Sequence, residues 1–203
     1  MRKKQIFYLV FFGVLVVGFF IVLLVLIPGF SKPRFPAIGT VQSFAFNNQD
    51  GKTITDRDMQ GKVVAVEYFF TTCTGICPRL NNNMRKLYDE FKNENDFLIF
   101  SHTCDPETDS VARLKRYADS MQVDTNRWQF LTGRKDSLYF MARESYKIDD
   151  PANNPQNIED DFLHTQFIAL VNKEGEVKKI YDGLKQSEIS EMSKEIKKLL
   201  KDE

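Results

Sequence analysis

Residues 6–27 form a run of 22 positions without a charge, interrupted only by Tyr8 and two glycines. A helix rises about 1.5 Å per residue, so this run covers the ~30 Å hydrocarbon core of a bilayer. Arg2, Lys3 and Lys4 precede it and Pro28-Gly29 ends it. The positive-inside rule then predicts a cytoplasmic N-terminus and an exported remainder. A cleaved signal peptide has a shorter apolar stretch and a small-residue cleavage site, which residues 26–30 do not offer. No Cys follows the run at lipoprotein distance. The expectation is a single-pass anchor over residues 1–30, a tether over 31–40 and one domain over 41–203. The domain is expected in an exoplasmic space where thiols can be oxidised, most simply the periplasmic side of a bacterial inner membrane.

Across the whole chain 28 Lys and Arg balance 28 Asp and Glu, but the first 30 residues carry three of the basic ones, so the remainder is mildly acidic. Without basic runs, nucleic acid is excluded as the expected partner, because phosphate binding depends on clustered Lys and Arg. Two His are too few for a His-rich metal cage. About 170 residues suit one domain with its own core.

The pattern after residue 40 alternates. Residues 41–46 and 52–54 flank Asp50-Gly51, a hairpin signal, because such turns need positive φ. Residues 63–70 read as a buried strand, followed by Leu80, Met84, Leu87 and Phe91 at helical spacing. Residues 97–100 are a second strand, extending towards Cys104, and Val111, Leu114, Ala118 and Met121 mark a second helix, whose start is signalled by the acidic residues of 105–109. Residues 128–131 and 136–146 read as a third strand and helix, and 147–161 as a long polar loop. Strands over 165–171 and 176–181 joined by a hairpin, then a helix through Ile189, Met192, Ile196 and Leu199, complete the chain. The fold class expected is α/β, a thioredoxin-like three-layer sandwich with an N-terminal β-hairpin extension, preceded by one transmembrane helix.

Cys73 and Cys77 lie between the first core strand and its helix, at the strand end where α/β sheets build sites. The helix N-terminus there favours thiolate. Four-residue spacing brings both sulfurs to one side of a turn, where they can share a soft metal ion or form a disulfide. His164 opens a later strand whose start, in a thioredoxin-like layout, lies beside the cysteine loop. Oxidoreductases of that fold place a cis-proline there, and this chain has an imidazole instead. Two thiolates and an imidazole suit Cu(I), and Cu(II) when a further ligand joins. Zinc ranks below copper, since a four-ligand site would need Cys104 or His102 as well. Cys104 reads as a small buried group. His102 is left without a role.

These residues resemble the SCO/SenC family of copper-binding, membrane-anchored proteins that assist assembly of the cytochrome c oxidase copper centre. The resemblance rests on Gly61-Lys62-Val63-Val64, Thr72-Cys73 with Cys77-Pro78, residues 105–109, Leu131-Thr132-Gly133 and His164. It implies copper held by Cys73, Cys77 and His164, with the cysteines able to cycle between dithiol and disulfide. It further implies a copper-accepting partner such as cytochrome c oxidase subunit II. Where the family often carries an acidic residue between the cysteines, this chain has Thr74-Gly75-Ile76, and Leu163 stands where Asp commonly precedes the histidine. The function expected is a membrane-anchored copper metallochaperone. Its main rival is a thiol-disulfide reductase that keeps the partner's cysteines reduced, with Cys73 attacking and Cys77 resolving; a peroxidase of the same fold is a weaker one.

Overall fold

A computed structural model describes residues 3–26, 37–150, 163 and 165–201. Residues 1–36 and 37–203 form separate units. In the first, α1 (Lys3–Leu26) is long and apolar enough to cross a membrane, and its large apolar side chains from Ile6 to Val22 are exposed. That surface suits an apolar medium rather than water, as a membrane anchor or a signal sequence requires.

The second unit is built on one eight-stranded sheet. Its strands are β1 (Gly39–Thr40), β2 (Ala45–Asn48), β3 (Thr53–Thr55), β4 (Val63–Phe69), β5 (Phe97–Thr103), β6 (Trp128–Thr132), β7 (Phe167–Val171) and β8 (Glu176–Asp182). They lie in the order β1-β8-β7-β4-β5-β6-β2-β3. The central β4, β5 and β6 are parallel, whereas β7 runs antiparallel to β4 and pairs with β8 in a hairpin. Crossovers by α2 (Cys77–Phe91) and α3 (Val111–Met121) explain the parallel centre, since parallel neighbours need a long return path.

β4 is buried at every position, so its side chains feed two cores. Val63, Ala65 and Phe69 pack with α2, α3 and the closing α5 (Gln186–Lys201). Val64, Val66 and Tyr68 pack on the other face with Phe44, Phe46, Leu138 and Met141. Each fully buried Leu, Ile or Phe on these faces contributes roughly 1.5–3 kcal/mol. The fold is therefore the expected thioredoxin-like sandwich with an added hairpin, whose Gly51 takes φ +77° at the turn. Gly133 admits the ring of Phe46 to within 2.5 Å of where a Cβ would stand, which seats that hairpin against the sheet.

Two expectations change and a third is refined. The strand expected over 41–46 is strand only from Ala45, within Ala45–Asn48, which pairs with β6; residues 41–44 cross over from Gly39–Thr40, which pairs with β8 at the sheet edge. That crossing is fixed by the Gln42 N–H donating to Ser145 Oγ at 2.8 Å. The helix expected over 136–146 is α-helical only over α4 (Lys135–Phe140) and widens to a π-helix over Met141–Ser145. The wider turn buries Arg143, which meets Asp149 at 2.8 Å. Finally, the helix start signalled by residues 105–109 is present, but Ser110, the N-cap of α3, makes no side-chain cap bond, and Asp109 is turned inward.

Candidate metal and redox centre

The cysteine loop leaves β4 and enters α2 with Cys77 as its first helical residue and Pro78 within the first turn, where the missing N–H costs nothing. Cys73 is half-buried and Cys77 buried, and both are free thiols. Burial pushes the Cys73 thiol up, but a hydrogen bond with the Cys77 thiol and the backbone N–H groups of Cys77, Gly75 and Ile76 more than offset it, leaving Cys73 below its ordinary value. Cys77 goes the other way: burial, then its bond to Cys73, push it up to about 12. Cys73 is thus the more accessible and more readily ionised thiol, and Cys77 holds its proton behind it.

The loop is fixed from below by Asp109. Its buried carboxylate accepts the Thr71 N–H at 3.0 Å, the Thr71 hydroxyl, and the Thr103 hydroxyl at 2.7 Å. Arg113 Nε donates to Thr71 Oγ1 at 2.7 Å and lies 3.7 Å from Asp109. Residues 105–109 do lead into α3, and Asp109 among them also anchors the segment that carries Cys73.

His164, the third expected ligand, lies outside the described residues. Its neighbours are described. The Leu163 N–H donates to Tyr139 Oη at 3.1 Å, and Tyr139 Oη donates to the Cys104 carbonyl at 2.8 Å. Thr165 Oγ1 donates to the Ile148 carbonyl at 2.9 Å. Both residues flanking position 164 are therefore pinned.

Cys104 and His102 do not join the pair. Cys104 packs in the core on the opposite face of the sheet from Cys77, and burial holds its thiol well above the usual range. His102, to which the sequence assigned no role, is fully buried on that same opposite face. Its ring stacks on Tyr68 at 5.1 Å and lies among Phe44, Phe46 and Tyr146. Neither ring nitrogen has a hydrogen-bond partner among the described residues, and burial lowers its pKa to about 3. The four-ligand zinc alternative loses its extra donors.

Sequence reasoning missed Glu67. It is fully buried on the cysteine-bearing face of β4, opposite Ser101 in the parallel register. Trp128 Nε1 donates to Ser101 Oγ at 2.8 Å, and Ser101 Oγ donates to Glu67 Oε1 at 2.6 Å. The indole can only donate, so Ser101 Oγ accepts from Trp128 and keeps its own proton free for the carboxyl. Glu67 Oε2 has no hydrogen-bond partner among the described residues. Burial raises Glu67 to about 8, and its charge would push up both Cys77 and Tyr117. The signal was a lone acid inside an apolar strand buried on both faces.

A family model described as SCO1/SenC matches residues 35–201. The chain belongs to the SCO1/SenC family. The SCO1 protein homolog of Bacillus subtilis (strain 168) is 33% identical over 159 residues, covering 77% of this chain and 81% of that protein. A structure of BsSco, described through its disulfide switch as a member of the Sco family of cytochrome c oxidase assembly proteins, superposes with a TM-score of 0.69. Identity there is 30%, with 83% of this chain and 98% of that one covered. Arabidopsis thaliana ScoI with copper bound shares the fold at a TM-score of 0.62 and 23% identity, over 80% of this chain and 98% of that chain. Sco proteins of this fold thus include one solved with copper.

Proposed function

We propose that this SCO1/SenC protein is a membrane-anchored copper metallochaperone. Copper is its cargo, taken up by Cys73, Cys77 and His164 and passed by ligand exchange to a copper-accepting protein, with cytochrome c oxidase subunit II as the expected acceptor. The observation that carries this is the pair of free thiols, Cys73 and Cys77, that line one cleft at the start of α2. Two soft sulfur donors in a loop that is half open can bind Cu(I) and still admit an incoming ligand. The three basic residues ahead of the apolar run, Arg2, Lys3 and Lys4, support a cytoplasmic N-terminus and an exoplasmic domain. The boundaries proposed are anchor 1–30, tether 31–40 and domain 41–203.

The test is Cu(I) titration of the full chain in nonionic detergent against a chromophoric chelator. Cys73→Ser and Cys77→Ser should each abolish tight stoichiometric binding, and His164→Ala should weaken it by tenfold or more. Unchanged stoichiometry and affinity in all three variants would overturn the assignment.

A second reading is favoured by the opposed thiols. Cys73, below its ordinary value, is suited to attack a partner disulfide, and Cys77, raised to about 12, is suited to remain a thiol until it resolves the mixed disulfide. The partner leaves as a dithiol and the chain as the Cys73–Cys77 disulfide. His164→Ala separates the readings, because it leaves this exchange intact while weakening copper binding.

A further inference from the structure

Beside the cysteines the surface opens into two adjoining clefts of about 380 and 420 Å³, which share Thr71 and Tyr117 as walls. Ligand clefts begin at roughly 300 Å³, so each has room for a side chain. Cys73 and Cys77 line the first. Arg85 lines the first, and Arg113 and Arg116 the second; no Asp or Glu lines either.

This is a local inversion of charge, because the chain beyond residue 30 is net acidic. Two of the arginines are partly neutralised: Arg85 meets Asp89 at 3.3 Å and Arg113 meets the buried Asp109 at 3.7 Å. Arg116 is exposed and has no ion pair among the described residues. A cationic wall next to a reactive thiol steers anionic groups towards it and repels cationic ones. The first cleft also contains a polar anchor. Asn81 Nδ2 donates to Tyr117 Oη at 2.5 Å, while Asn81 Oδ1 is buried without a partner among the described residues. That orphan acceptor matches a backbone N–H, the group an extended peptide supplies.

We infer that the two adjoining clefts, lined by Arg85 in the first and by Arg113 and Arg116 in the second, together form the docking surface for the exchange partner, and that this surface selects an acidic, cysteine-bearing peptide segment. The inference rests on the reading of Cys73 and Cys77 as the exchange site. It adds the recognition that brings a partner thiol to Cys73, with Arg116 supplying the uncompensated charge and Asn81 Oδ1 the backbone contact.

The experiment needs no copper. Peptides with one Cys, flanked by Glu in one and Lys in the other, are prepared as mixed disulfides with 5-thio-2-nitrobenzoate. The Cys73 thiolate attacks the peptide sulfur, a Cys73–peptide disulfide forms, and the coloured thiolate leaves. Rates with the reduced full chain in nonionic detergent are divided by those with 2-mercaptoethanol, which removes the intrinsic reactivity of each peptide. At about 10 mM salt the Glu peptide should react about tenfold faster than the Lys peptide, and the preference should collapse near 0.5 M salt as the Debye length shrinks. Arg116→Glu, an exposed change on α3, should remove or reverse the preference while leaving the fold intact. Asn81→Leu should slow both peptides alike. Equal normalised rates for the two peptides, or a preference that ignores salt and Arg116→Glu, would overturn the cleft while leaving the exchange site standing. No release from either peptide would overturn the exchange site, and the cleft with it.

Discussion

Thr71 donates both its backbone N–H and its hydroxyl to the buried carboxylate of Asp109, 38 residues further along the chain. Thr71 stands two residues before Cys73, so this contact holds the entrance of the cysteine loop to the start of α3. Asp109→Asn keeps the shape but converts charge-assisted acceptors into weaker ones and leaves Arg113 less compensated. Hydrogen bonds to charged groups are worth about 1.5–3 kcal/mol each. We expect a loss of about 2–4 kcal/mol in denaturant unfolding, together with a change in the Cys73 titration, read from the pH dependence of alkylation, as its loop loses this anchor. An unfolding midpoint and a Cys73 titration both equal to wild type would refute the anchoring role.

Two buried groups should shape the stability profile from opposite sides. In the folded chain Glu67 keeps its proton up to about 8, whereas unfolded it releases it near 4.5. The native state therefore binds more protons in that window, and stability falls as pH rises from 4.5 to 8. His102 stays neutral when folded down to about 3, whereas unfolded it takes up a proton below 6.5. Its contribution is complete above 6.5 and is lost as pH falls towards 3. Each shift corresponds to up to about 5 kcal/mol between its extremes. Between pH 4.5 and 6.5 the two oppose each other, which predicts a broad plateau with a decline beginning above 6.5. Glu67→Gln should flatten the alkaline limb and His102→Phe the acid limb, measured as denaturant midpoints from pH 4 to 9. A wild-type profile that stays level from pH 6.5 to 9 would contradict the Glu67 assignment.

The same pair shows where sequence reading reaches its end. The run over 63–70 and the helical spacing from Leu80 to Phe91 identify a strand and its crossover, because hydrophobic period is a local property. The cysteine pair was legible for the same reason, its place between those elements being fixed by adjacency in the chain. Glu67 and His102 were not. They sit on β4 and β5, which are buried on both faces, so no alternation reveals which side a polar residue takes. Asp109 carries the same acidic signal whether it caps a helix or turns inward, and only the distant Thr71 decides between them. The passage from β1 to β2 is likewise set by Ser145, 103 residues after Gln42.

The contrast between the two thiols should be visible without any metal. At pH 7.5 limited iodoacetamide should modify Cys73 first, with Cys77 and Cys104 more than about a hundredfold slower, because both are buried and raised while Cys73 is lowered and accessible. In Cys73→Ser the neighbouring thiolate that helps push Cys77 up is gone, so Cys77 should react faster than in wild type. It should remain well below the rate of Cys73, since burial is the larger cause of its shift. Peptide mapping by mass spectrometry gives all three rates from one time course. Comparable labelling of Cys73 and Cys77 in the wild-type chain would contradict the assigned order.

Tyr139 connects the two halves of the proposed centre. Its hydroxyl takes the Leu163 N–H and gives its own proton to the Cys104 carbonyl, while the Cys104 N–H pairs with the Phe69 carbonyl at the end of β4. The backbone entering position 164 is thereby tied to the strand ends from which the cysteine loop departs. Tyr139→Phe removes the bridge and leaves a buried donor and a buried acceptor unpaired, at a cost of about 1–3 kcal/mol. Locally, the Leu163 amide should exchange faster with solvent by more than the global destabilisation accounts for, while Cys73 alkylation stays at its wild-type rate. If His164 is a copper ligand, Tyr139→Phe should also weaken Cu(I) binding, and that loss should vanish when His164→Ala is already present. An equal loss in both backgrounds would make Tyr139 a purely structural residue, since a general softening of the fold would act with or without the imidazole.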